Sequence, residues 1–196
     1  MFTQNKQTRK DRAAVSCLKG NQHFSSACGS AEIVSSTSYG CPGGPYRSGS
    51  SWCGTFLASN ILSLDVDRWS GKMGDPANYW LSESGKTGQE QGFIMYLGCS
   101  KTVKGVSLRN TQNGNYDDRS TKKFRILGSN NDTSPWQELF VANIEDSRHQ
   151  KLPQIQHLMF PNSALVSFIK FELLDFWGRG CGPECGGGGL QYFGVI

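Results

Sequence analysis

The chain has 196 residues, a net charge of +4, 18% charged and 37% hydrophobic residues, 11% aromatics, 24 glycines and seven cysteines. That length suits one domain core, and the apolar and aromatic content excludes a solvated disordered chain or a coiled coil. No stretch approaches the roughly 18–20 consecutive apolar residues of a membrane helix, and the first twelve residues lack the apolar segment of a secretory leader, so neither a membrane span nor an export signal is expected.

Residues 1–30 are polar and hold neither a period of 2 nor one of 3.6 long enough to define an element, which predicts an extension. Lys6, Arg9, Lys10 and Arg12 against Asp11 supply +3 of the net charge, leaving the remainder nearly neutral. A nucleic-acid groove needs basic residues concentrated on the folded surface, so no nucleic-acid partner is expected. From 31 to 53 the chain is dominated by Ser, Gly, Tyr and Pro, and Cys41-Pro42-Gly43-Gly44-Pro45 forces turns. One strand is expected there, at 32–36, in an otherwise irregular Cys/Gly/Ser-rich N-terminal extension over 1–54 whose order depends on disulfides or docking. Helical periodicity is confined to a turn or two over 56–62, which argues against an α/β fold with crossover helices.

Beyond residue 90 the chain becomes a series of short β-branched and aromatic runs separated by turn signals, the pattern of an antiparallel sandwich or barrel. Runs at 93–97 and 103–108 precede the turn at Asn113-Gly114. Phe124 and Ile126 then alternate with Arg125, and further runs follow at 136–141, 156–160, 167–174 and 191–196. In the 167–174 run Ile169, Phe171 and Leu173 share one face, opposite Lys170 and Glu172. Trp80 and Trp136 stand at strand starts, where large aromatics plug a sandwich core.

Cys17, Cys28, Cys41, Cys53, Cys99, Cys181 and Cys185 are many for a reduced cytosolic chain and point to an oxidising compartment. Cys99 ends an apolar run and reads as a small buried hydrophobe. Local pairs such as Cys41 with Cys53, or Cys181 with Cys185, would pin loops, although spacing leaves the connectivity open. The spacings match zinc knuckles poorly. Asn131-Asp132-Thr133 is an acceptor sequon for N-glycosylation, in keeping with secretion.

The ordered segments Ala58-Ser59-Asn60, Gly74-Asp75-Pro76-Ala77-Asn78-Tyr79-Trp80, Phe93-Ile94-Met95-Tyr96-Leu97-Gly98 and Val103-Lys104-Gly105-Val106 form the first half of a recognisable series. Lys123-Phe124-Arg125-Ile126-Leu127-Gly128-Ser129, Trp136-Gln137-Glu138-Leu139, Phe168-Ile169-Lys170-Phe171-Glu172 and Gly189-Leu190-Gln191-Tyr192-Phe193 complete it. Together they resemble the discoidin, or coagulation factor 5/8 type C, domain of the galactose-binding-like superfamily, over residues 55–196. The resemblance implies an all-β antiparallel jelly-roll sandwich with its ends close together and ligand loops gathered at one end. Many relatives hold a structural calcium through an Asp-Gly-Asp segment, a Thr before the Trp and a Glu near the last strand. Here Met73 replaces the first Asp, Asp75 fits the second, Asn78 replaces the Thr and Gln191 lies near the Glu, so Asp75 and Asn78 define at best a weak calcium site.

Three loops are candidates for ligand contact. They are 71–79 with Asn78 and Tyr79, 111–121 with Asn115, Tyr116, Asp117, Asp118 and Arg119, and 177–189 with Arg179. Planar amides, carboxylates, a guanidinium fork and an aromatic face suit the vicinal hydroxyls and apolar ring face of a saccharide. In the last loop, 181–186 reads as an insertion between two glycine-rich stretches. No Gly-x-Ser-x-Gly elbow, His-Glu-x-x-His or phosphate loop occurs, and His23, His149 and His157 stand apart from any nucleophile motif, so no enzymatic activity is expected. The expected function is recognition of a glycan or another extracellular protein ligand. The rival is a structural subunit that docks on neighbouring subunits of a larger, intracellular assembly.

Overall fold

The computed structural model of the chain describes residues 28–38, 57–62, 79–82, 87, 91–111, 119–133, 135–147, 150, 153–178 and 186–196. Seven strands are described: β1 (Glu32–Ser36), β2 (Trp80–Leu81), β3 (Gly92–Asn110), β4 (Ser120–Ser129), β5 (Gln137–Asn143), β6 (Ile155–Trp177) and β7 (Gly189–Val195). The periodicity before residue 62 is a single 3₁₀ turn, Ala58–Leu62, which buries Ala58 and Ile61.

Two strands organise the rest. β3 spans 19 residues and β6 spans 23, well beyond the length of about 5–6 residues usual for a strand. The first part of β3 pairs with β1 on one side and with the second half of β6 on the other, through Phe93↔Phe171 and Tyr96↔Phe168. Its second part pairs with β7 through Leu108↔Phe193 and with the first half of β6 through Val106↔Leu158. Both strands therefore fold over and contribute to two layers. One layer runs β1-β3-β6-β4-β5, the other β2-β7-β3-β6, and every strand pairing is antiparallel. This is the antiparallel sandwich that the alternating runs imply, with the jelly-roll form that the resemblance implies.

At the fold-over the β3–β6 register breaks between Tyr96 and Lys101. Gly98 stands there with φ +83°, and a Cβ added to it would lie 1.9 Å from the carbonyl oxygen of Gly29, so only glycine fits. Next to it Cys99 is bonded to Cys28 across 71 residues, with a Cα separation of 5.4 Å. Cys99 is thus half of a long-range disulfide and not the packed hydrophobe expected, and the bridge ties the chain before β1 to the crease in β3. The local pairs Cys41–Cys53 and Cys181–Cys185 fall outside the described residues.

Core packing follows from the period-2 pattern. Phe93, Phe171 and Phe124 line the inner face of the first layer as a stack, with centroids 5.0 and 5.2 Å apart and planes within 13°. From the second layer Trp80 and Phe193 meet Phe93 and Phe171 edge-on, at 5.1–5.9 Å. Edge-to-face contact sets the positive ring edges of one layer against the negative faces of the other. Trp80 is fully buried, and its Nε1 donates to the Thr37 carbonyl at 2.7 Å, locking β2 to the chain just after β1.

Trp136 does not share that role. It is half-buried on the outer side of the first layer, where the Lys170 ammonium stands 5.9 Å from its ring. Lys170 also binds Glu172 Oε1 at 2.6 Å, while Arg125 donates through Nε and Nη2 to Glu172 Oε2. Glu172 has 2% side-chain exposure, so two cations compensate one enclosed carboxylate. The hydrogen bond it donates to Glu172 raises the Arg125 pKa above its ordinary value, and the guanidinium remains charged at every accessible pH.

Candidate functional site

β4, β7 and the second half of β3 start or finish at one pole of the sandwich, and there the chain buries polar side chains instead of apolar ones. Ser82, Asn110, Thr111, Arg119, Ser120, Thr121 and Ser147 are all 4% exposed or less. A buried polar group is costly unless it is hydrogen-bonded, and these groups are bonded to one another and to the backbone.

Asn110, at the end of β3, uses its whole side-chain amide. Its Nδ2 donates to the carbonyls of Thr121 and Glu145 at 2.8 and 3.1 Å, and its Oδ1 accepts from the N–H groups of Thr121 and Thr111 at 2.9 and 3.1 Å. Ser147 Oγ donates to the Thr111 carbonyl at 2.9 Å and lies 3.0 Å from Ser120 Oγ. Thr121 Oγ1 donates to the Gly189 carbonyl and accepts from the Gly189 N–H, at 3.0 and 3.2 Å. Arg119 Nη1 donates to the Ser82 carbonyl at 2.7 Å, and Ser82 exchanges two bonds with Gly188. Residues 82, 110–111, 119–121, 145–147 and 187–189 are thereby knitted into one rigid frame. The segments 83–86, 112–118, 148–149 and 179–185 leave from it.

The frame separates the expected site residues into two groups. Tyr79 and Arg119 belong to the structure beneath the rim: Tyr79 is fully buried with its carbonyl 3.5 Å from Asn60 Nδ2, and Arg119 is 4% exposed, its guanidinium directed at Ser82. Their burial has a plain cause, since Tyr79 leads directly into the core strand β2 and Arg119 forms a bridge with Gly187 at the foot of β4. Asp75, Asn78, Asn115, Tyr116, Asp117, Asp118 and Arg179 lie outside the described residues. Of the calcium positions only Gln191 is described; it is 4% exposed and offers a neutral amide where a carboxylate ligand would stand. The closing ends of the two later candidate loops meet, because 119–121 and 187–189 are hydrogen-bonded neighbours.

Sequence reasoning missed the frame itself. Asn110, Ser82 and Ser147 carry no motif, and an Asn at a strand end reads as an ordinary turn residue. It also missed the segment after Ser82, which leaves the same pole. His157 is exposed on the outer side of the second layer, where its Nδ1 lies 2.8 Å from Ser107 Oγ on the adjacent strand.

Asn110→Ala is expected to lower unfolding free energy by about 2–3 kcal/mol, because it removes hydrogen bonds and strands buried backbone groups in one step. Urea denaturation measures this. Asn110→Ala should also accelerate amide exchange at Thr111 and Thr121 more than at Phe93 or Ile169, a contrast that simple loss of packing would not produce.

The sequence model of the F5/8 type C domain matches residues 48–183. No curated protein matches the chain. Among solved structures, the C-terminal domain of a chitobiase from Bacteroides fragilis is 15% identical, with a TM-score of 0.51, covering 86% of this chain and 94% of that one. A family 32 carbohydrate-binding module of C. perfringens NanJ, solved with galactose, is 14% identical with a TM-score of 0.49, covering 85% and 91%. Module CBM32-1 from a family 31 glycoside hydrolase of Clostridium perfringens is 16% identical with a TM-score of 0.47, covering 74% and 89%. With the sandwich, the order of its strands and a family match over well more than half its length, the chain belongs to the F5/8 type C domain family.

Proposed function

We propose that this domain is a non-catalytic glycan-recognition module whose ligand is taken by the loops above the polar frame. The observation that carries this reading is the frame: a buried hydrogen-bonded base immobilises both ends of the 112–118 segment, at Asn110–Thr111 and at Arg119–Thr121. Binding residues concentrate on loops positioned by rigid scaffolds, because a fixed base lowers the entropy lost when the ligand is bound. The segment between those ends contains Asn115, Tyr116, Asp117 and Asp118. Amide and carboxylate groups would take sugar hydroxyls, and Tyr116 would cover an apolar ring face. Arg179 from the neighbouring 179–185 segment, and Asn78, would extend the contact. Tyr79 and Arg119 would act from below, by fixing β2 and the foot of β4. The Cys28–Cys99 disulfide supports an oxidising, extracellular setting.

A glycan array probed with the intact, oxidised chain tests the reading. Binding to a defined saccharide class is expected, and Tyr116→Ala should weaken it about tenfold or more, the loss typical of an aromatic anchor. The melting temperature should stay within the small range of a surface substitution. A folded chain that binds no glycan but co-purifies with a constant protein partner would replace this reading with the scaffold one.

A further inference from the structure

We infer that Asn131 is an N-glycosylation site, and that it is placed on the pole opposite the proposed ligand loops. Asn131-Asp132-Thr133 is the chain's single Asn-x-Ser/Thr sequence, and the middle residue is not proline. It occupies the turn that follows β4, and all three residues are exposed. Asn131 Oδ1 accepts from both the N–H and the Oγ1 hydroxyl of Thr133, at 3.1 and 2.9 Å. The hydroxyl and the amide of the sequon are therefore already together on one face of the turn. Oδ1 is engaged in these bonds within the turn, and Nδ2, the nitrogen that must react, has no hydrogen-bond partner among the described residues.

The surroundings agree with the chemistry. The neighbouring Asn130 Oδ1 is within hydrogen-bond distance of Ser100 Oγ and Ser167 Oγ, at 3.5 and 3.2 Å, so the turn is tied to the fold-over of β3 and β6. Cys99, adjacent to Ser100, holds the disulfide to Cys28. A bond of that kind forms in an oxidising lumen, the same compartment in which oligosaccharide transfer to asparagine takes place. In that transfer Asn131 Nδ2 attacks the anomeric carbon of a lipid-pyrophosphate-linked oligosaccharide. A C–N bond forms, the C–O bond to the pyrophosphate breaks, the lipid pyrophosphate departs with the electron pair, and Nδ2 gives up one proton. No oxidant or reductant is required.

Position gives the modification a meaning. β4 runs from Ser120, in the polar frame, to Ser129, two residues before the acceptor. At strand rise its length is on the order of 30 Å. A glycan on Asn131 would therefore cover the fold-over pole, including exposed Leu165, whose carbonyl accepts from Asn130 Nδ2 at 3.4 Å, and leave the loop pole clear.

Intact mass measurement of the full chain, isolated from the cells that produce it, tests this before and after peptide-N-glycosidase treatment. One glycan should be lost, with conversion of residue 131 to aspartate. Asn131→Gln and Thr133→Ala should each abolish the modification, and Thr133→Ser should retain it. Non-reducing alkylation confirms in every sample that Cys28 and Cys99 are joined. A chain with that disulfide intact and residue 131 unmodified overturns the proposal. A glycan that persists in Asn131→Gln overturns it equally. Because the readout is mass, failure of glycan recognition by the loops would leave this result unaffected.

Discussion

Phe171→Ala should remove about 3–5 kcal/mol of unfolding free energy, the largest loss expected from any single core truncation in this domain. Phe171 lies between Phe93 and Phe124 in the first layer and receives the edges of Trp80 and Phe193 from the second. Removing it leaves a cavity with aromatic walls on both layers, and rings held by their own strands collapse poorly into such a space. Urea titration followed by tryptophan fluorescence should show a lower midpoint with an unchanged slope. A loss below about 1.5 kcal/mol, typical of a volume-conserving change, would mean that the two layers are not joined through this residue.

The sequence makes that stack legible because strands on a half-buried sheet alternate with a period of two. Ile169, Phe171 and Leu173 are buried as the alternation requires, and the 32–36 run is the strand Glu32–Ser36. What it obscures are the bends. The runs at 93–97 and 103–108 are one strand, as are those at 156–160 and 167–174. Gly98 and Pro161, which stand between those runs, are interior to strands that crease and continue. A crease interrupts periodicity just as a turn does, so local pattern does not distinguish the two. Glu172 shows a related effect: its position on the outer face follows from alternation, but its enclosure depends on Arg125 from β4 and on Lys170. The polar frame was less legible still. Asn110 gains its role from Thr121 and Glu145, which the fold and not the local sequence brings to it.

Cys99 gives the second expected result. Cys28→Ser or Cys99→Ser should each destabilise the domain by about 4 kcal/mol, the chain-entropy value for closing a loop of this size. The double variant should lose no more than either single one, since both remove the same bond. Thermal unfolding with and without reductant measures this. Reduction should lower the melting temperature of the parent chain by more than that of either variant. Exchange of the β1 amides should rise first, because among the described residues β1 pairs only with β3, and its register is already interrupted between Ile33 and Ser35. Equal melting temperatures for oxidised and reduced parent would mean that β1 and the Trp80–Thr37 bond hold this edge without the bridge.

The creased strands have a mechanical corollary. In a sandwich whose layers are connected only by surface loops, one layer can be peeled away while the other survives. Here β3 and β6 are cloth common to both layers, so a tear begun in either one propagates along the same two threads into its neighbour. Under force, or at the onset of heating, the domain should give way in a single step, and the polar frame would lose its shape together with the body that carries it.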